Sequence, residues 1–259
     1  MTSLIGARLR DRRRSLLTWG LPIGLMSAFI VAIFPSVEDA LGKAVRDYPS
    51  ELKEAFGIGE LATVEQYLEA EMLSLIVPLA LGYLAVRSIA SGLSGAAETG
   101  RLDVLLSAPV SRRRLVASGF VATAIELAAV LAVSLLLTLF GSWLSGAGLA
   151  VGPALAGFAN VWPLALVFAG LGIVVTGRSL RTSVVTGSVA GVLVAMYVID
   201  LIGRLDTGLD WARYASVFRY YGTAIEDGID PLAFCGVVAV AIALAAVGAL
   251  LFERRDLSS

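Results

Sequence analysis

Few residues in this 259-residue chain could do chemistry. It has no histidine and a single cysteine, Cys235. That excludes Ser-His-Asp catalysis, His-ligated zinc, imidazole proton shuttles, an intrachain disulfide and a cysteine-based metal cluster. No G-x-x-x-x-G-K-[ST] is present: the one Gly-Lys pair, Gly42-Lys43, runs into Ala44. The chain therefore offers no P-loop for nucleotide phosphates. Neither H-E-x-x-H nor G-x-S-x-G occurs, so metalloprotease and serine-hydrolase chemistry lack a basis. What remains is two charged residues in apolar surroundings, Arg87 and Glu126. Glu126 falls about three turns into its helix, counted from Leu115. A carboxylate in hydrocarbon is costly unless it is paired or neutral. It could serve as a substrate or proton site. A structural ion pair with Arg87, or a protonated carboxyl bonded to a neighbour, is the preferred reading.

The elements that position these residues follow from composition. Apolar residues make up 58% of the chain and charged residues 16%, with a mean hydropathy of +0.84. Soluble domains run at about 45–50% and about 25%, so too little polar surface exists to cover a soluble core of this size. Six stretches approach the ~20 apolar residues that cross a bilayer: Ser15–Phe34, Met72–Leu93, Leu115–Phe140, Ala159–Gly177, Ser183–Ile202 and Leu232–Phe252. The first follows Arg8, Arg10, Arg12, Arg13 and Arg14, but it is too long for a signal-peptide core and no A-x-A site follows. It reads as a retained helix. With both termini cytoplasmic, 14 of the 20 basic residues lie inside and 6 outside, as the positive-inside bias requires. The expectation is an all-α membrane protein forming a single transmembrane domain over residues 1–259.

Three connecting segments carry more pattern than simple linkers. In the first outer segment, Pro35 to Ala70, Val37, Leu41 and Val45 recur at helical spacing, then Leu52 and Phe56, then Val64 and Leu68. Short amphipathic helices on the outer surface are expected there, with their carboxylates as a solvated acidic face. The second outer segment, Gly203 to Pro231, packs Trp211, Tyr214, Phe218, Tyr220 and Tyr221 into eleven residues. That suits an interfacial or re-entrant segment, and an aromatic belt is preferred over substrate contact. The inner segment Gly95–Arg114 places Leu102, Leu105 and Leu106 on one helix face and stops at Pro109. Ser111 is then the N-cap of a second helix. Arg112–Arg114 alone would anchor it to anionic lipid, but that leaves Glu98 to Pro109 without a role. The fifth span carries Ser183, Gly187, Gly191 and Ala195 at spacings of four. This stripe of small residues lets two helices approach closely, within the chain or between two chains.

The segment AETGRLDVLLSAPVSRRRLVASG resembles the cytoplasmic coupling segment of ABC-2 type ABC exporter permeases, especially the bacterial antibiotic and multidrug export branch. EQYLEAEMLSLIVPLALGY is similar to that family's entry to the second span, and FERRDL to its end. YASVFRYY is similar to its last outer segment, although Val217 stands where members often have Pro. The resemblance implies a coupling helix, Ala97–Ala108, between spans 2 and 3. Its ATPase-coupling residues would be Glu98, Gly100, Arg101, Leu105, Leu106, Pro109 and Arg112, with Glu98 a rim charge facing the partner. The implied partners are two ABC ATPase subunits, which bind ATP and Mg, and a second permease subunit, identical or homologous. This chain would hold no catalytic residue, metal or cofactor and bind no nucleic acid. It would lie in the lipid bilayer of the bacterial plasma membrane and move a hydrophobic or amphipathic drug-like substrate outward. Alternatives are lipid, polysaccharide, peptide or ion export, or an ion-coupled secondary transporter using Glu126.

Overall fold

The computed structural model describes residues 15–47, 63–98, 111–205 and 207–254, with side chains excepted at 38–47, 96, 97 and 207. Among them every regular element is helical. Six helical runs are long and apolar enough to cross a membrane: Leu16–Val37, Val64–Ser94, Arg112–Ser145, Val151–Thr176, Thr182–Leu205 and Pro231–Glu253. All six contain the windows expected from sequence, apart from one or two residues at their edges.

The first run opens with a π-helical turn, Leu16–Gly20, and continues as α1 (Leu21–Asp47). Pro35 does not end it, which corrects the expected boundary at Phe34. A membrane helix tolerates an internal proline where neighbouring helices pack around it. Val31 and Phe34 are buried there, and the Phe34 ring lies 5.7 Å from that of Tyr67. Val37, Leu41 and Val45 thus belong to the backbone of the same helix. The expected helix around Leu52 and Phe56 lies outside the described residues.

The second run also begins earlier than expected. Thr63 and Gln66 form a capping box, Thr63 Oγ1 accepting from Gln66 N–H at 3.3 Å and Gln66 Oε1 from Thr63 N–H at 3.2 Å. Val64 and Leu68 are buried rather than surface-lying, so the third expected amphipathic piece is the start of this span. π-helical turns at Glu69–Leu73 and Ala90–Ser94 flank α2 (Ile76–Ile89). The third run, α3 (Arg112–Ser145), has 34 residues. At 1.5 Å per residue it is about 51 Å long, so it projects beyond a ~30 Å hydrocarbon core. Ser111 caps it as expected, accepting from Arg114 N–H at 3.4 Å. The last three are α4 (Val151–Thr176), α5 (Thr182–Leu205) and α6 (Pro231–Glu253). In α6, Pro231 occupies the first turn and Asp230 accepts from the N–H groups of Leu232 and Ala233.

The hydrophobic centre is α4, which packs against α2, α3, α5 and α6, while α1 packs on α3. Of the apolar window of α4, 72% is buried, against 22% for α5 and 17% for α6. The tight crossings are made by glycine. A Cβ on Gly248 would stand 2.6 Å from Val174 N and 2.7 Å from Ile173 C. One on Gly170 would meet Ala241 O at 2.8 Å. Between α1 and α3, Gly141 sits on Ala28 and Gly24 on Ser134 and Leu137. Lipid tails supply no hydrophobic force between helices, so this close van der Waals contact does the holding.

Candidate functional site

At the end of the bundle that carries Arg112, Arg113, Arg178 and Arg181, the run from span 2 finishes in a short helical turn, Gly95–Glu98. The exposed Glu98 does not point away as a free rim charge. Its Oε1 accepts from the Thr182 N–H at 2.8 Å and its Oε2 from the Thr182 hydroxyl at 2.9 Å. Thr182 is the first residue of α5, so Glu98 satisfies a helix-terminal N–H and places an anion at the positive end of the dipole. The Thr182 N–H bond, then the hydroxyl bond, hold this carboxyl below the usual carboxylate range, helped by nearby Arg181. The contact is therefore complete at neutral pH and is lost only as pH falls through that lowered value.

Arg112 and Arg113, where α3 begins, reach the opposite kind of helix end. Arg112 Nη1 donates to the backbone carbonyl of Glu253 at 3.3 Å, and Arg113 Nε pairs with Glu253 Oε2 at 2.6 Å. Glu253 is the last residue of α6, where cations complement the dipole. Of the remaining expected coupling residues, Gly100, Arg101, Leu105, Leu106 and Pro109 lie outside the described residues.

Glu126 is buried, with 3% exposure. Ser88, not Arg87, faces it: the Ser88 hydroxyl donates to Glu126 Oε2 at 2.8 Å, while Arg87 is exposed. One residue turns a helix by about 100°, so Arg87 and Ser88 cannot both point into the contact between α2 and α3. The expected Arg87–Glu126 pair is thus replaced by a hydroxyl-to-carboxyl bond.

The small stripe of α5 is likewise decided by the fold. Ser183, Gly187, Gly191 and Ala195 are all exposed, and a Cβ on Gly187 or Gly191 would meet nothing within 4 Å. Among the described residues nothing packs on its two glycines. The buried face of α5 is Val185, Val189 and Leu193.

The opposite end of the bundle holds a polar network that sequence reasoning missed. A 3-10 helix, Thr207–Ala215, folds back on α5. Asp200, buried near the end of α5, accepts from Arg204 Nε at 2.7 Å through Oδ2 and from Arg213 Nε at 3.0 Å through Oδ1. Asp210 Oδ1 bridges Arg213 at 2.9 Å and Arg219 at 3.1 Å. The Arg219 guanidinium stacks 3.9 Å from the centre of the Tyr214 ring. The Arg213 hydrogen bond, with Arg219 behind it, keeps the Asp210 carboxyl below its ordinary value. The signals in the sequence were the i, i+4 spacing of Asp200 and Arg204 and the i, i+3 spacing of Asp210 and Arg213. Of the five aromatics, Phe218 and Tyr221 are buried, while Trp211, Tyr214 and Tyr220 are exposed. Tyr221 donates its hydroxyl to Leu73 O at 3.0 Å and accepts at its own carbonyl from Asn160 Nδ2. The segment is thereby pinned onto α4 and the π-helical turn of span 2. Among the described residues no group of three or more Cys, Asp or Glu side chains could hold a metal.

Six membrane-length helices, with α4 the most buried of them and charge confined mainly to the two ends, define a multi-pass helical membrane protein. Over residues 1–253 the chain matches the family described as "Multidrug efflux system permease Rv1217c, C-terminal domain". It belongs to that family and is a permease of the multidrug efflux type. Comparison with the curated proteins gives no match.

Proposed function

We propose that this chain is the membrane-spanning subunit of an ATP-driven exporter of the ABC-2 type. Two separate ATPase subunits bind ATP and Mg, and a second permease unit completes the pore. The end carrying Arg112 and Arg113 faces the cytoplasm, as do both termini, and a hydrophobic or amphipathic drug-like substrate leaves on the other side of the bacterial plasma membrane. The observation that carries this reading is the family match over nearly the whole chain. It is supported by the position of the segment between spans 2 and 3, whose flanking residues reach α5 and α6. An ion-coupled transporter through Glu126 draws less support, because that carboxyl is packed away and bonded to Ser88.

The test is affinity purification of the tagged permease from its native cells. A P-loop ATPase should co-purify and hydrolyse ATP, and the permease freed of it should not. Robust turnover by the isolated permease, or no ATPase in the wild-type complex, would falsify the reading.

The exposed stripe of α5 is the contact for the second permease unit. Gly191→Leu should leave the melting of the isolated protomer within about 0.5 kcal/mol of wild type, because its Cβ meets nothing. It should reduce cross-linking between permease units and cut drug export. Unchanged assembly and export would mean that the stripe faces lipid.

A further inference from the structure

We propose that Glu98 and Arg113 are positioning residues that tie spans 2 and 3 to the ends of α5 and α6, so that these ends move together. The observation is a pair of matched contacts at one end of the bundle. The anion at the end of span 2 sits on the first residue of α5, 84 positions away, through two hydrogen bonds. The cations that open α3 sit on the last residue of α6, 140 and 141 positions away. Each charge complements the helix dipole that it meets, negative at an N-terminus and positive at a C-terminus.

Burial shows why this matters for motion more than for stability. Arg113 and Glu253 side chains are 62% and 43% exposed, and an exposed ion pair contributes little to folding. Yet α5 has only 22% of its apolar window buried in the chain. Glu98 adds a polar link to its first turn. Ser94 makes a parallel approach to Thr176 at the end of α4, with their hydroxyl oxygens 3.5 Å apart. A force applied to the chain between spans 2 and 3 therefore reaches α5 through Glu98 and α6 through Arg113. Since α5 also carries the outward stripe, the tie gives the proposed exporter a route from its ATPase contact to the neighbouring permease unit. This last step rests on the proposed function, whereas the tie itself does not.

Two measurements separate them. In the purified permease alone, Glu98→Ala should speed hydrogen exchange of the Thr182 amide about tenfold. Thr182→Val should do so by less, and the two together by no more than Glu98→Ala. Arg113→Glu and Glu253→Arg should each loosen the end of α6, and the exchanged pair should restore it, since it re-forms an opposite-charge pair and each new charge suits the end of its own helix. Unchanged exchange in Glu98→Ala, or no restoration by the exchanged pair, overturns the tie.

In the complex purified from native cells, the same variants should lower drug export per ATP hydrolysed by about fivefold or more. The exchanged pair should again recover. Faster exchange with an unaltered export ratio overturns the transmission role and leaves a purely structural contact. Absence of an ATPase from the wild-type complex counts against the proposed function alone.

Discussion

Gly248→Leu is expected to prevent the protein from accumulating in the membrane in folded form. The reason is visible before the rest of the side chain is added. A Cβ at position 248 would stand 2.6 Å from Val174 N and 2.7 Å from Ile173 C. Those atoms belong to the backbone of α4, the most buried helix of the bundle, and cannot turn aside as a flexible side chain would. Even Gly248→Ala should cost about 3 kcal/mol, at the upper end of what overpacking a core costs. Separating α4 and α6 would also disturb Gly170 on Ala241 and Gly177 on Leu251. The control is Gly236→Leu in the same helix, where a Cβ meets nothing within 4 Å. Yield and denaturant unfolding in detergent should separate the two. A Gly248→Ala variant that melts like wild type would show that α4 and α6 are not in backbone contact.

Asp200→Ala should destabilise the end of α5 by about 3 kcal/mol, the scale for removing one partner from a buried charge pair. Asp200 is 3% exposed and holds two arginines, Arg204 and Arg213. Without it Arg213 keeps Asp210 but loses its buried anion. Arg204 is 45% exposed and can hydrate, which keeps the expected cost at the lower end of that scale. The 3-10 helix Thr207–Ala215 should then detach, because Arg213 also lies against Gly203, where even a Cβ would collide with its side chain. Asp200→Asn retains an acceptor and should cost less. Asp210→Ala, with a 45% exposed side chain, should cost least. Equal unfolding midpoints for Asp200→Ala and Asp210→Ala would remove Asp200 from the centre of this network.

Glu98 shows how the tertiary structure changes the reading of a single charge. From sequence it stands in a short inner helix beyond the spans, and reversing it looks cheap for folding and informative about a partner. In the fold its carboxylate is already used by Thr182. Glu98→Arg would therefore place a cation at the positive end of α5 before any partner is involved. Charge reversal cannot distinguish docking from an internal fault, whereas the cycle with Thr182 can.

The amino-acid sequence by itself determined the number of spans, their approximate positions and the Ser111 cap. It also shows that this chain has no P-loop motif, no histidine and one cysteine. These are local properties: twenty apolar residues demand a span wherever they fall, a capping serine acts within one turn, and a missing P-loop is missing in any fold. The rotational setting of each helix was decided only by the tertiary structure. Arg87 and Ser88 are equally placed in sequence, and only the packing of α2 on α3 selects Ser88 for Glu126. The Gly187–Gly191 motif stood out by its spacing, but among the described residues nothing packs against it. Gly248 carried no motif, yet it forms the closest crossing, because its partners Ile173 and Val174 lie on another helix. Pro35 opens the expected outer segment, yet α1 runs through it, with Val31 and Phe34 buried beside it. The contacts of Glu98 with Thr182 and of Arg113 with Glu253 join residues 84 and 140 positions apart. No periodicity records such pairs, since they exist only once the helices have taken their places around α4.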